Sequence, residues 1–427
     1  MAENLAENPA EHLAEGYAAG YAEKLVVVGQ GRAGLPLAMR AVEAGFRVVG
    51  IDADEWRVKR LNAGEACVEG VTEGELAVAH ASGRYGVSAD YADAAGFDVC
   101  LVTVPVRMRH GAPDLGPLAA AAERLAPLLR RGTTVVLEST TCPGTTEEFL
   151  RPLLEDGSGL VAGEDFLLGH SPRRAEPGNP RWRLGNTPKV VSGVGAASLD
   201  RIAEVYGRLV REVVRVSSPR VSELTALLED AFTHVNTALA NELSVVAGQV
   251  GADPWEVIEA ASTRPYGYLP FTPSPGLDVP CLPLDVSYLP WQVRRGGGGA
   301  SRLVQLADDV NGHMADQVVS RLGLALNRRC RAVRGSRILL LGLSPIEVPK
   351  ALCRLGARVR AAEPRAGEML PPAGLEIVEA TGPELAKADV VVVLSGDDCF
   401  DYERVQRTSR FVFDTRGRCR GPNVERL

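Results

Sequence analysis

The stretch KLVVVGQGRAGLPLAMRAVEAGFRVVGIDAD, residues 24–54, narrows the choice of fold more than any other. An apolar run meets a glycine-rich turn, an apolar pattern of helical period follows, and a second apolar run ends in an acid. That order predicts a strand, a turn, a helix and a parallel strand. Gly29 suits the tight turn. Gly31 lets backbone approach a pyrophosphate, and Gly34 lets the helix pack on the strand. The turn also holds Arg32 and Ala33, and its free amides and helix dipole favour phosphate. Asp52 ends the second strand near the spacing expected of a ribose-binding acid, where it can accept from both ribose hydroxyls. A carboxylate there repels a 2′-phosphate, so NAD is expected rather than NADP. The plainer reading is a glycine-rich turn in a nucleotide-type fold that has lost its ligand.

The alternation continues. DVCLVTVP and TTVVLEST read as strands with helical stretches between them, followed by PKVVSG and VVRVSS, to about residue 218. From Ser222 to about Ala261 the pattern turns helical, and SELTALLEDAFTHVNTALANELSVVAGQVG contains no proline. SRILLLGL, ARVRAAEP, LEIVEA, ADVVVVLS and RFVFDTRG then announce a second sheet. With 427 residues the chain is too long for one core. The expected class is α/β, with two Rossmann-like doubly wound domains joined by a long central helix and a helical middle domain. The divisions fall at 1–23 (an Ala/Glu-rich flexible tail), 24–218 (cofactor domain), 219–330 (helical dimerisation domain) and 331–427 (second Rossmann-like domain).

A net charge of −7 argues against general nucleic-acid or membrane-surface binding. The eight cysteines are scattered, without CxxC pairs or His/Cys clusters, so neither a metal site nor a disulfide framework is expected. No apolar run reaches the length of a membrane span. The acidic N-terminus does not resemble a secretory signal. These features predict a cytoplasmic protein. The Ala-, Arg- and Gly-rich composition fits a high-GC genome and a polysaccharide or specialised-metabolite pathway.

GQGRAGLPLA, NAGEACVEGV, VVLESTTCPGTTEE, NTPKVVSG, VNTALANEL, TRPYGYLPFTPSPGL and CLPLD, in that order from Lys24 to about Gln305, carry a resemblance. The chain resembles the UDP-glucose/GDP-mannose dehydrogenase family, most closely its UDP-N-acetylhexosamine branch. The resemblance implies oxidation of a nucleotide-sugar alcohol with NAD, a small-molecule partner and a homodimer built on the long helix. It implies that Cys281, with Asp285 four residues on, captures an aldehyde as a thiohemiacetal that is oxidised to a thioester and hydrolysed. Thr140 matches a water-holding threonine. Cofactor contacts fall on Val104, Pro105, Glu138 and Thr140. Substrate contacts fall on Arg173, Asn236, Arg264, Tyr266, Tyr268, Phe271 and Gly276.

The departures fall on the chemistry. Where the family has a glycine-rich loop before the cysteine, this chain has Asp278, Val279 and Pro280. The family's helix lysine and the asparagine four residues later are Ala226 and Asp230. Its glutamate after Ser-Pro is Arg173, and its strand-end Thr-Pro is Val106-Arg107. Losing a preorganised cation costs about 10²–10³ in rate. Asp230 and His234, four apart on one helix face, offer a replacement acid/base pair in which Asp230 orients His234 and raises its pKa; the alternative is an ordinary helix histidine. Two readings stay open. One is an NAD-dependent oxidoreductase acting on a CH–OH group of a nucleotide sugar or related nucleoside or sugar without the full four-electron route. The other is a catalytically inactive relative serving in binding or assembly.

Overall fold

A computed structural model describes residues 22–174, 179, 181–276, 287–292, 301–363 and 375–427. The tail up to residue 21, Cys281, Asp285 and the altered residues 278–280 lie outside the described residues. The chain packs as two compact units, which divide inside the long helix, between Glu229 and Asp230.

The first unit is built on an eight-stranded sheet in the order β10-β9-β8-β7-β4-β1-β2-β3. Its strands are β1 (Lys24–Val28), β2 (Arg47–Ile51), β3 (Tyr85–Ser88), β4 (Val99–Val102), β7 (Thr134–Leu137), β8 (Leu167–His170), β9 (Lys189–Gly193) and β10 (Val213–Arg215). The apolar runs form its interior because both faces are covered by helices. Leu25, Val27 and Val99 look to one face, and Val26, Val28 and Cys100 to the other. The sheet is parallel up to β8, but β9 pairs antiparallel with it, so PKVVSG does not continue the parallel run. A short hairpin, β5 (Arg107–Arg109) with β6 (Ala112–Asp114), turns through His110 and Gly111, both at positive φ. The expected Val106-Arg107 strand end therefore leads into a hairpin. Glu23 ties the chain down just before β1 by pairing with Arg201 and Arg208.

The long helix runs Pro219–Val250 and stops at Gly251, whose φ is +73°. Asp253 caps the next helix, Pro254–Ser262, so the stretch expected as one helical run is two. The second unit is built on a parallel six-stranded sheet in the order β13-β12-β11-β14-β15-β16. These strands are β11 (Arg337–Leu341), β12 (Arg358–Ala362), β13 (Glu376–Ile377), β14 (Val390–Val393), β15 (Val412–Asp414) and β16 (Val424–Arg426). The helix Arg302–Asn327 packs Met314, Val318, Leu322 and Leu326 on one face of this sheet, so part of the helical middle shares a core with the C-terminal strands.

Candidate active site

β1 lies between β2 and β4, where the strand order reverses. In open α/β sheets the ligand crevice lies at the carboxyl ends of the strands at that point. Gly29 turns there with φ +92°. A Cβ on Gly34 would sit 1.8 Å from the Gly29 carbonyl oxygen, so helix and strand meet only through glycine. A Cβ on Gly31 would meet nothing within 4 Å, so internal packing does not require a glycine there. It leaves room on the outer side of the turn for a ligand. The helix Gly34–Glu43 has no side-chain cap and no acid in its first turn; Leu35 N donates to the Gly31 carbonyl at 3.0 Å, and the positive end of the helix dipole meets no competing carboxylate there. The turn thus fits a dinucleotide pyrophosphate. Arg32, exposed, pairs with Glu69 at 3.4 Å.

Asp52 is 7% exposed. Its Oδ2 accepts from Gln30 N at 2.7 Å and Arg57 Nη1 at 2.8 Å, and its Oδ1 accepts from Asp54 N at 2.9 Å. The carboxylate is held in place with acceptor capacity left on Oδ1 for one ribose hydroxyl. Serving both hydroxyls requires Arg57 to give way.

Two strand ends beyond β4 form the other part of the crevice. Leu137 of β7 pairs with His170 of β8, so Thr140 and Arg173 each stand three residues beyond a paired position. Lys189 Nζ fastens the two loops, donating to Glu138 Oε2 at 2.8 Å and to the Pro172 carbonyl at 3.0 Å. The Tyr206 hydroxyl donates to the other oxygen of Glu138. Burial pushes the Lys189 ammonium below its ordinary value, and Glu138 opposes that shift. The Glu138 side chain, expected at the cofactor, is engaged inside the fold. Val104 is half-buried, with its carbonyl held by Ser139 Oγ at 2.6 Å, and Pro105 is exposed.

The long helix approaches the same edge. Glu223 accepts from Gly144 N at 2.6 Å, Thr146 N at 2.8 Å and Thr146 Oγ1 at 2.6 Å. Its carboxyl is nonetheless raised to about 7, because burial outweighs these donors. His170 Nδ1 lies 2.9 Å from Ser222 Oγ, and burial drives this imidazole down to about 3, so it is neutral. Arg174 pairs with Glu229 and donates to the Pro188 carbonyl at 3.1 Å. Ala226, one turn before Asp230, is 6% exposed.

The Asp230–His234 pairing does not form. The His234 ring is fully buried, and its neighbours come from the Arg302–Asn327 helix: Asn311 Nδ2 at 3.4 Å from Nδ1, and Asp308 Oδ1 at 3.7 Å from Nε2. Burial lowers its pKa, with Asp308 opposing, where a rise was expected. Tertiary packing overrides the helical spacing. Asn311 also accepts from Asn241 at 2.9 Å, and Asn241 Oδ1 accepts from Ser274 N at 2.8 Å. Ser274 Oγ donates to the Gly276 carbonyl and accepts from Arg416 at 3.1 Å.

Residues 23–210 match the NAD binding domain of the UDP-glucose/GDP-mannose dehydrogenase family, and residues 220–313 match its central domain. A UDP-N-acetyl-D-glucosamine 6-dehydrogenase of Pseudomonas aeruginosa is 35% identical over 330 residues, 75% of each chain. The chain belongs to the UDP-glucose/GDP-mannose dehydrogenase family. It is an NAD-dependent oxidoreductase of the nucleotide-sugar dehydrogenase type. An NDP-N-acetyl-D-galactosaminuronic acid dehydrogenase of Ralstonia solanacearum is 31% identical over 417 residues, 92% of this chain and 95% of that one. Among solved structures, the UDP-D-ManNAc dehydrogenase of Pyrococcus horikoshii superposes with a TM-score of 0.83 at 25% identity, covering 95% of this chain and 99% of the other.

Within that family frame, the first unit brings together Gly29, Gly31, Gly34, Asp52, Thr140 and Arg173 around one sheet edge. In the second unit Arg264, Tyr266 and Tyr268 are exposed, with the Arg264 guanidinium 5.0 Å from the Tyr266 ring centre. Phe271 packs edge-on against Phe232, with ring centroids 5.7 Å apart. Asn236 donates to the Phe232 carbonyl at 2.7 Å. Gly276 is buried, and a Cβ there would come within 2.9 Å of Pro345. Lys189, Tyr206, Glu223 and the Asn241–Asn311 pair escaped the sequence reading. Its available signal was a charge next to or within an apolar run, as in PKVV and VVLEST. Among the described residues, no helix is long and apolar enough to cross a membrane.

Proposed function

We propose that this protein oxidises a CH–OH group of a nucleotide sugar with NAD and stops short of the four-electron oxidation to a carboxylate. Bound at the glycine turn, NAD supplies the hydride acceptor. The protein supplies Asp52 for the ribose, the glycine turn and the positive end of the Gly34–Glu43 helix for the pyrophosphate, and the loop that carries Thr140 for the substrate side. The observation that carries the reading is Ala226, a buried methyl at the helix position where the family resemblance calls for a cation. A tetrahedral oxyanion formed on the way to an acid finds no charge there, whereas a single alcohol oxidation needs only a proton acceptor and a hydride acceptor. The names of the relatives support a nucleotide-sugar substrate.

The test counts NADH formed per sugar consumed, with UDP-glucose and UDP-N-acetylglucosamine. Little or no uronic acid is expected from either. Two NADH per sugar with a uronic acid product would overturn the reading.

We infer a homodimer as well. Val221, Leu224, Leu228, Phe232, Leu239, Val246 and Val250 are exposed on the long helix. At about 100° per residue they fall within an arc of roughly 80°, one continuous apolar stripe. Light scattering at micromolar concentration should give twice the chain mass, and a monomer would refute the inference.

A further inference from the structure

Among the described residues, three arginines in the loops after β7 and β8 have no ion pair: Arg181 and Arg183, both exposed, and the half-buried Arg173. Lys189 is paired with Glu138, and Arg174 with Glu229. Among the described residues Arg173 makes no hydrogen bond or ion pair, although it is half-buried. It follows Pro172, whose carbonyl Lys189 holds at 3.0 Å, and precedes Arg174, which is anchored to the long helix. Its backbone is therefore fixed while its guanidinium is unspent. Arg173 and Thr140 each follow the last paired residues of β8 and β7, His170 and Leu137, by three positions, and among the described residues the Thr140 hydroxyl also makes no hydrogen bond. The charges of Arg173 and Arg174 add to burial in lowering the Lys189 pKa, against Glu138, so both guanidinium groups act on this edge.

We propose that Arg173 recognises a carboxylate on the sugar of the substrate, so that the enzyme acts on a nucleotide-linked uronate. A guanidinium presents a planar fork of donors that matches a carboxylate bidentately, and the Thr140 hydroxyl offers a further donor. This rests on the nucleotide-sugar reading and sharpens it. In a uronate C6 is already an acid, so the oxidised group is a ring secondary alcohol. Its C–H bond breaks with the hydride going to NAD⁺, its O–H proton leaves to solvent or a nearby base, and a C=O bond forms. Two electrons move and one NADH is released per sugar. No acyl group has to be hydrolysed, so Ala226 is no handicap to this reaction. The substrate must come from a reaction that oxidises a nucleotide sugar to its uronate.

Calorimetry with UDP-glucuronate and UDP-glucose, each at saturating NAD, tests the proposal. The wild type should bind UDP-glucuronate at least about tenfold more tightly. Arg173→Gln should erase that preference by weakening UDP-glucuronate at least about tenfold more than UDP-glucose, and Arg173→Glu should reverse it. Equal affinities in the wild type would overturn the proposal. So would Arg173→Gln weakening both ligands alike, because the shared diphosphate would then be the contact. A protein that binds NAD but neither nucleotide sugar would overturn the nucleotide-sugar reading, and this proposal with it.

Discussion

At the end of β1, Gly29 turns with φ +92° and donates to the Ile51 carbonyl at 2.7 Å; at the end of β11, Gly342 turns with φ +93° and donates to the Ala362 carbonyl at 2.9 Å. The next amide is also matched. Gln30 N reaches Asp52 beyond β2 at 2.7 Å, and Leu343 N reaches Glu363 beyond β12 at 2.9 Å. The two sheets thus repeat one frame of glycine, amide and acid. They differ in the residues that follow. After Gly29 come Gly31, Ala33 and Gly34, interleaved with Gln30 and Arg32, and an uncapped helix without acid in its first turn. After Gly342 comes Ser344-Pro345. Proline offers no N–H, its ring crowds Gly276, and the helix Glu347–Arg354 begins with an acid that repels anions. The shared frame builds the sheet edge, and the few residues after the glycine decide whether an anion can use it.

The largest expected effect tests the two glycines directly. Gly34→Val forces a side chain onto the Gly29 carbonyl and should cost about 3 kcal/mol of stability and abolish measurable NAD binding. Gly342→Val meets Ser395 Cβ at 2.6 Å in a backbone conformation unsuited to valine, and should cost a similar amount. The folded fraction of that variant should nevertheless bind NAD within about twofold of wild type, because its defect is structural. Denaturant unfolding with calorimetry separates the two, and loss of NAD affinity in Gly342→Val would break the comparison.

The acids should part in the same way. Asp52→Ala should weaken NAD binding by about 1–3 kcal/mol, the worth of a hydrogen bond to a charged group. Glu363→Ala should leave NAD affinity unchanged and cost about 1 kcal/mol of stability. Tighter binding of NADP than NAD would refute the role given to Asp52.

The smallest effect concerns acid. His170, at the end of β8, titrates at about 3 in the folded protein against about 6.5 unfolded. Its contribution is complete above pH 6.5 and is lost as pH falls toward 3. Asp414, at the end of β15, is raised by burial, so its contribution is complete below its unfolded value near 4 and is lost as pH rises through its folded pKa. In the first unit Glu223, raised to about 7, also favours the fold in acid; it offsets the His170 loss down to about pH 5 and only a part of it below that. Hydrogen exchange, corrected for intrinsic rates, should show β8 loosening between about pH 5 and 3 and β15 tightening. His170→Gln should reduce the first change by about 1 kcal/mol. A shared sign in both sheets would show that burial of these groups does not govern the acid response.

The β1–turn–helix–β2 unit is legible because its signals are local: apolar runs, glycines at fixed offsets and an acid at a strand end. The long helix is equally plain, although Gly251 and Pro254 divide its expected extent. What escaped depends on pairs far apart in sequence. Lys189 lies 51 residues from Glu138, and Glu223 lies 77 from Thr146. No spacing rule links such positions. His234 misled because a spacing of four on a helix is real, but the neighbouring helix reaches its ring first. The antiparallel turn at β9 was hidden for the same reason, since PKVVSG reads alike in either direction.

The Glu138–Lys189–Tyr206 cluster also limits how this chain can diverge. Removing either charge alone strands the other in the interior, at a cost of about 3–5 kcal/mol. Replacing both together with well-packed apolar side chains can be neutral. Single steps away from the pair are closed to a marginally stable protein, while a paired step is open. Descendants of this sequence should therefore keep Glu138 and Lys189 together or lose them together, and a lineage with only one of the two should carry a compensating change at Tyr206 or at the Pro172 loop.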